Sequence, residues 1–269
     1  MDRLVGFHTV REALRARRRE LLRLRYREGL RRRELSELLE LARAAGIPAQ
    51  PEGPDSLGTG LEPGARAQGL VLEAGPLPQL GLDSLLATPD ATAGGQAEGR
   101  PGRRLVLLDG VEDPQNLGAI ARVAEASGAH GLLLAARRSP PLSPAVSRAS
   151  AGAIEHLPVY RATNLRRSLT LLREAGYWTL GADPACGEDL FDTPDRLWAG
   201  DLVLVFGAEG RGLRPGLVPL LDHRLRIPLA GRVSSLNVAT AAAVVLFEAA
   251  RRARAPMGPV APSAASARN

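Results

Sequence analysis

The stretch Leu202-Val203-Leu204-Val205-Phe206-Gly207-Ala208-Glu209-Gly210-Arg211-Gly212-Leu213 decides the fold. An unbroken apolar run that stops at a glycine-rich turn reads as a buried strand. Working outward, strand-like and helical stretches alternate. Residues 105–108, 131–135 and 178–181 read as strands ahead of it, and 224–229 as the strand that follows. Residues 116–127, 165–175 and 237–252 read as helices, the first carrying Leu117, Ile120, Ala121 and Ala124 along one side. Such alternation implies an α/β fold with a mostly parallel sheet covered on both faces, in which ligands bind beyond the carboxyl ends of the strands.

That unit is expected over residues 103–254. Residues 76–102, rich in Pro and Gly and without periodicity, read as a linker, and the Pro-, Ala- and Ser-rich tail 255–269 as disordered. Residues 1–75 are dense in arginine and read as a separate small α/β module. In it, 9–16 and 31–45 are helices, 21–26 is a half-buried strand alternating apolar and basic residues, and 68–73 is a further strand. The runs Arg17-Arg18-Arg19 and Arg31-Arg32-Arg33 suit phosphate contacts, and would equally suit a solvated face.

Charge narrows the partners. The chain carries a formal net charge of +6, which points to a polyanion. No lysine is present, so the positive charge is all arginine, whose planar fork donates paired hydrogen bonds to phosphate. Codon bias accounts for the absence of lysine as well, but not for the excess of positive charge. Aromatic residues make up only 3%, which argues against a reader that stacks many single-stranded bases. No apolar run approaches the ~18 residues that span a bilayer, and Met1-Asp2-Arg3-Leu4 does not begin a signal peptide, so a cytoplasmic location is expected. Cys186 stands alone, and His8, His130, His156 and His223 are scattered, so no metal is expected. Asp109, Glu112 and Asp113 look like an acidic patch, yet they precede a helix, where acids are favoured anyway.

Three polar clusters follow strands and are expected at one sheet edge. The first runs Asp109-Gly110-Val111-Glu112-Asp113-Pro114-Gln115-Asn116, with Arg122 further along the same helix; Asn116 suits an N-cap or the first turn. The second is the turn after residue 206, whose glycines allow close approach of a ligand but match neither a dinucleotide fingerprint nor a phosphate loop. The third is Ile227-Pro228-Leu229-Ala230-Gly231-Arg232-Val233-Ser234-Ser235-Leu236-Asn237-Val238, where Ser235 and Asn237 could serve simply to cap a helix.

Taken together, the three clusters resemble the SpoU (TrmH) family of ribose 2′-O-methyltransferases, within the SPOUT superfamily. Asn116 and Arg122 stand in its first motif, Gly207-Ala208-Glu209-Gly210 in its second, and Ile227-Pro228 with Ser235-Leu236-Asn237-Val238 in its third. Gly6-Phe7-His8-Thr9-Val10 and Gln68-Gly69-Leu70 look like the auxiliary RNA-binding domain of the branch that methylates a guanosine of large-subunit (23S) rRNA. The resemblance implies a catalytic domain with a trefoil knot, an exception among folds, and a homodimer. It also implies S-adenosylmethionine as cofactor, held by Gly207, Ile227, Leu229 and Leu236, and a reaction site of Asn116, Arg122, Glu209, Ser235 and Asn237. The family regards the arginine as the base. A guanidinium that stays protonated is an awkward base, so stabilisation of the developing oxyanion is the expected role of Arg122. Methyl transfer from a sulfonium needs no metal. Competing readings are the same chemistry on tRNA or at an antibiotic-contacting rRNA nucleotide, and a non-catalytic RNA-binding protein; the complete set of five residues argues against the last.

Overall fold

The structure is a computed structural model that describes residues 1–53, 56–87, 102–185 and 188–254; the expected tail and Cys186 lie outside the described residues. The chain opens with β1 (Asp2–Val5), α1 (Phe7–Ala16), β2 (Leu21–Arg27), α2 (Arg33–Ala44), β3 (Ala49–Glu52) and β4 (Leu70–Ala74). The four strands form a sheet in the order β1-β4-β2-β3, with only β2 and β3 parallel. Leu4, Leu24, Leu70 and Leu72 of this sheet meet Val10, Leu14, Leu35 and Leu38 of the two helices in one core. Arg25 is buried in ion pairs to Glu52 and Glu73, and Arg23 also pairs with Glu73, so these two basic residues of β2 are neutralised within the sheet. Hydrogen bonding from Arg25 holds the Glu52 carboxyl down at about 2.

Downstream come β5 (Leu80–Gly81), α3 (Leu82–Leu86), β6 (Arg104–Asp109), α4 (Pro114–Ala126), β7 (Gly131–Ala135), α5 (Pro144–Ala149), β8 (Val159–Ala162), α6 (Leu165–Glu174), β9 (Trp178–Ala182), β10 (Leu202–Gly207), β11 (His223–Leu225) and α7 (Val238–Arg254). Seven strands pair in the order β11-β9-β10-β6-β7-β8-β5, every pair parallel. Both faces are covered. Val106 and Leu108 of β6 pack with Leu117 and Ile120 of α4 and Ala242 and Leu246 of α7, whereas the alternate residues Leu105 and Leu107 pack with Leu165, Leu169 and Leu172 of α6.

Several elements differ from the sequence reading. The stretch expected as a linker supplies β5 and α3, because Leu80–Gly81 finds β8 as a partner and Leu82 and Leu85 bury against the large sheet. The strand expected over 224–229 ends at Leu225, since Pro228 has no N–H to give a ladder and the chain from residue 227 to 237 is irregular. The helix expected from Asn116 starts at Pro114: the Asp113 carboxylate accepts from Gln115 N at 2.9 Å, making Asp113 the cap and placing Asn116 in the first turn.

The Arg17-Arg18-Arg19 run is divided: Arg17 stays exposed, whereas Arg18 and Arg19 turn inward and join the two sheets rather than offering a phosphate grip. Arg19 is fully buried, and its guanidinium donates to Glu155 Oε2 at 3.0 Å, Glu155 Oε1 at 2.9 Å and Asp2 Oδ2 at 2.8 Å. Ser147 Oγ donates to Glu155 Oε1 at 2.8 Å, completing the node. Arg18 donates to Leu157 O, and His156 Nε2 lies 2.9 Å from Glu12 Oε2. Gly152 lets α1 come this close: a side-chain carbon there would lie 2.7 Å from Glu12 Cβ, and its φ of +89° is itself left-handed. Arg31, Arg32 and Arg33, in contrast, stay exposed at the start of α2, with Arg32 over the Phe7 ring. Among the described residues, no helix is long and apolar enough to cross a membrane.

Candidate active site

Three loops meet at the carboxyl edge of the large sheet, and one side chain ties them. Asn237 Nδ2 donates to Asn116 Oδ1 at 3.0 Å and to Glu209 Oε1. Its Oδ1 accepts from Ala239 N at 2.9 Å and Thr240 N at 3.3 Å, capping α7. Capping and site-building are therefore performed by one amide: the oxygen serves the helix, and the nitrogen bridges the other two clusters. Asn116, Glu209 and Asn237 are brought together as expected. Ser235 lies exposed in the loop just ahead of Asn237, without a hydrogen bond to the cluster. Arg122 is exposed on α4. Six residues apart on one helix, Asn116 and Arg122 point roughly 120° from each other, so α4 directs Arg122 away from the Asn237 amide.

The turn after β10 is shaped by its own backbone. A side-chain carbon on Gly207 would lie 2.1 Å from Gly212 C, and Gly212 N donates to Ala208 O at 2.9 Å. Glycine at 207 is thus required by the closing of the turn on itself. The turn is also anchored from outside. Asp109, buried at the end of β6, accepts from the Arg214 guanidinium and from Arg214 N at 3.3 Å. This hydrogen bonding raises the pKa of Arg214 above its ordinary value. Sequence reasoning missed Arg214 and placed Asp109 in an acidic patch. In the fold Asp109 has a cationic partner and Asp113 caps α4. Among the described residues, no group of three or more His, Cys, Asp or Glu side chains could hold a metal ion.

Ile227, Leu229 and Leu236 are each half-buried in the irregular segment between β11 and α7. The backbone of residues 227–236 forms no hydrogen bond among the described residues. Half-covered apolar side chains beside free amide and carbonyl groups fit an adenosine, which offers a flat apolar ring with polar edges.

Residues 103–247 match the model of the SpoU rRNA methylase family, and residues 3–80 that of the RNA 2′-O ribose methyltransferase substrate-binding domain. The chain belongs to the SpoU rRNA methylase family. A SpoU relative, the 23S rRNA (guanosine-2′-O-)-methyltransferase RlmB of Ralstonia nicotianae, is 38% identical over 250 residues, covering 93% of this chain and 95% of its own. Among solved SpoU structures, the methyltransferase AviRb of Streptomyces viridochromogenes in complex with the cofactor AdoMet superposes with a TM-score of 0.70 at 27% identity, covering 93% of this chain and 89% of that one. The AdoMet-bound rRNA methyltransferase of Sinorhizobium meliloti gives 0.71 at 26% identity over 93% of this chain and 87% of that one.

Proposed function

We propose that this SpoU protein transfers a methyl group from S-adenosylmethionine to the ribose 2′-hydroxyl of a guanosine in 23S rRNA, in the cytoplasm and as a homodimer. The observation that carries the reading is the Asn116–Asn237–Glu209 cluster at the carboxyl edge of a parallel sheet, beside the half-buried Ile227, Leu229 and Leu236. Gly207, Ile227, Leu229 and Leu236 would hold the cofactor. Bound there, S-adenosylmethionine supplies an electrophilic methyl group on a sulfonium.

The chain's own residues do the rest. Asn237, fixed by its cap bonds, holds the Glu209 carboxylate in one place beside Asn116. Ser235, exposed and close in sequence, offers a hydroxyl to the ribose. Arg122 is a permanent cation: it stabilises charge developing on the 2′-oxygen and anchors the neighbouring phosphate. Because α4 points Arg122 away from the cluster of its own protomer, a second copy of the chain is the natural supplier of that cation. Phe247, 51% exposed on α7, supplies apolar surface for such a pairing. The exposed Arg31, Arg32 and Arg33 supply phosphate contacts on the N-terminal module.

The test is methyl transfer from labelled S-adenosylmethionine to 23S rRNA and to tRNA transcripts, with the product mapped at nucleotide resolution. One methylated guanosine in 23S rRNA is expected. Arg122→Ala and Asn116→Ala should lose turnover while binding S-adenosylhomocysteine as the parent does. A mark on tRNA alone, or unaltered turnover in both variants, overturns the substrate or the site, respectively.

A further inference from the structure

On the sheet face opposite α4 and α7, the carboxyl ends of β7 and β8 border a cleft of about 490 Å³. Four arginines line it, Arg137, Arg138, Arg166 and Arg214, and no acidic residue does. Arg214 is already paired with Asp109. Arg137, Arg138 and Arg166 are exposed, and among the described residues their side chains form no hydrogen bond or ion pair. Like charges gathered in a concavity without counter-ions repel one another and focus a positive potential that an anion relieves.

The cleft is held in shape in advance. Arg161 reaches under the loop after β7 and donates to Ala135 O at 3.0 Å and Pro140 O at 2.7 Å, gripping the segment that carries Arg137 and Arg138 at both ends. Arg138 itself holds a φ of 61°, in the left-handed region that a side-chain-bearing residue rarely adopts. The opposite wall is the start of α6, where Asn164 caps the helix through Arg167 N at 3.1 Å. Its first turn adds the partial positive charge of a helix N-terminus to the Arg166 guanidinium.

We infer that this cleft takes the phosphodiester backbone of the substrate RNA, on the strand flanking the modified nucleotide. The inference rests on the methyltransferase reading above and extends it to where the RNA runs. No aromatic side chain lines the cleft, so it grips phosphates without stacking bases and contributes affinity and register rather than sequence choice. Its position suits that task. Arg214 belongs to the cleft and to the Asp109 anchor of the turn that carries Glu209, so a strand lying in the cleft passes over the sheet edge towards the Asn116–Asn237 cluster.

The experiment compares the full chain with the Arg137→Gln/Arg138→Gln and Arg137→Glu/Arg138→Glu double variants. A 23S rRNA fragment is titrated at several salt concentrations, and S-adenosylhomocysteine binding and thermal unfolding serve as controls. Two lost contacts to single-stranded phosphate should lower the slope of log K against log salt by about 1.4 in the Gln pair. The Glu pair should bind RNA at least about tenfold more weakly at low salt. KM for RNA should rise with little change in kcat, and cofactor binding and melting should stay as in the parent. A parent that methylates the RNA while both variants match its affinity and slope overturns the cleft alone. A parent that neither binds nor methylates RNA overturns the cleft together with the function it rests on.

Discussion

The side-chain nitrogen of Asn237 donates to Asn116 Oδ1 at 3.0 Å, so the first turns of α7 and α4 are pinned together at the sheet edge. Both helices pack on the same face, and the pin sets the separation of their starts. Glu209 joins through the same nitrogen, which makes one amide the junction of three chain segments far apart in sequence.

Asn237→Asp separates the two duties of that amide. The carboxylate keeps the cap and favours the helix N-terminus, but it cannot donate to Asn116, and it sets a second negative charge beside Glu209. Methyl transfer should fall by about a hundredfold or more, the typical cost of one lost polar group in a reaction site, while thermal stability changes by less than about 1 kcal/mol. Asn237→Ala should lose both activity and about 1 kcal/mol of stability. Equal turnover in the Asn237→Asp variant and the parent would remove the bridge from the mechanism.

Gly207→Ala places a carbon where Gly212 already stands, and backbone cannot step aside as a flexible side chain could. The turn must open, carrying Glu209 with it. Calorimetry should show weaker binding of S-adenosylhomocysteine, and turnover should fall with it; parental binding would mean the turn has more room than its packing allows.

Arg19→Met leaves Glu155 buried without its cation, and removing one partner of a buried pair costs about 3–5 kcal/mol. Burial already pushes the Glu155 carboxyl up from its ordinary value. The double change Arg19→Met/Glu155→Leu should recover most of the loss, because the cost lies in the orphaned charge more than in the missing pair. Chemical denaturation of the two variants measures the difference. A double variant no better than Arg19→Met would refute that account.

Glu248 contributes to the pH dependence of stability in acid. Hydrogen bonding from Arg251, aided by Arg252, holds its carboxyl at about 2 against an ordinary 4.5. Arg252 continues to Asp195 at 3.0 Å and so ties α7 to the segment ahead of β10. A depressed folded pKa contributes stability that is complete above about pH 4.5 and is lost as pH falls towards 2. Solvent screening at the exposed Arg251 keeps the contribution to about 2 kcal/mol. Glu248→Gln should cost that amount at neutral pH and flatten the pH dependence below about 4.5; parallel stability curves for variant and parent would contradict it.

What the sequence made legible follows from what each element depends on. The runs that became β6, β7 and β10 are apolar because both their faces are covered, so burial is written into the residues themselves. Ala49–Glu52 is an exposed edge strand of mixed residues, and Leu80–Gly81 is a strand only because β8 lies beside it; neither owes its form to its own composition. Asn116, Glu209 and Asn237 could be expected at one place because strand ends of a parallel sheet face the same way. The Asp109–Arg214 pair and the burial of Arg19 could not, because each needs a partner that only the folded register selects. An arginine run has the same composition whether it meets water, phosphate or Glu155.

The Arg19–Glu155 node also decides how this molecule can be taken apart. A chain shortened to begin after β4 would lose Arg19 and Asp2 together, and Glu155 and Ser147 would be left facing a hollow where α1 had closed over Gly152. Such a fragment would have to rebuild the floor of its own catalytic half before it could act, so its failings would describe the wound rather than the missing limb. The contribution of the N-terminal module is therefore better measured by changing its outward side chains one at a time, with the seam left shut.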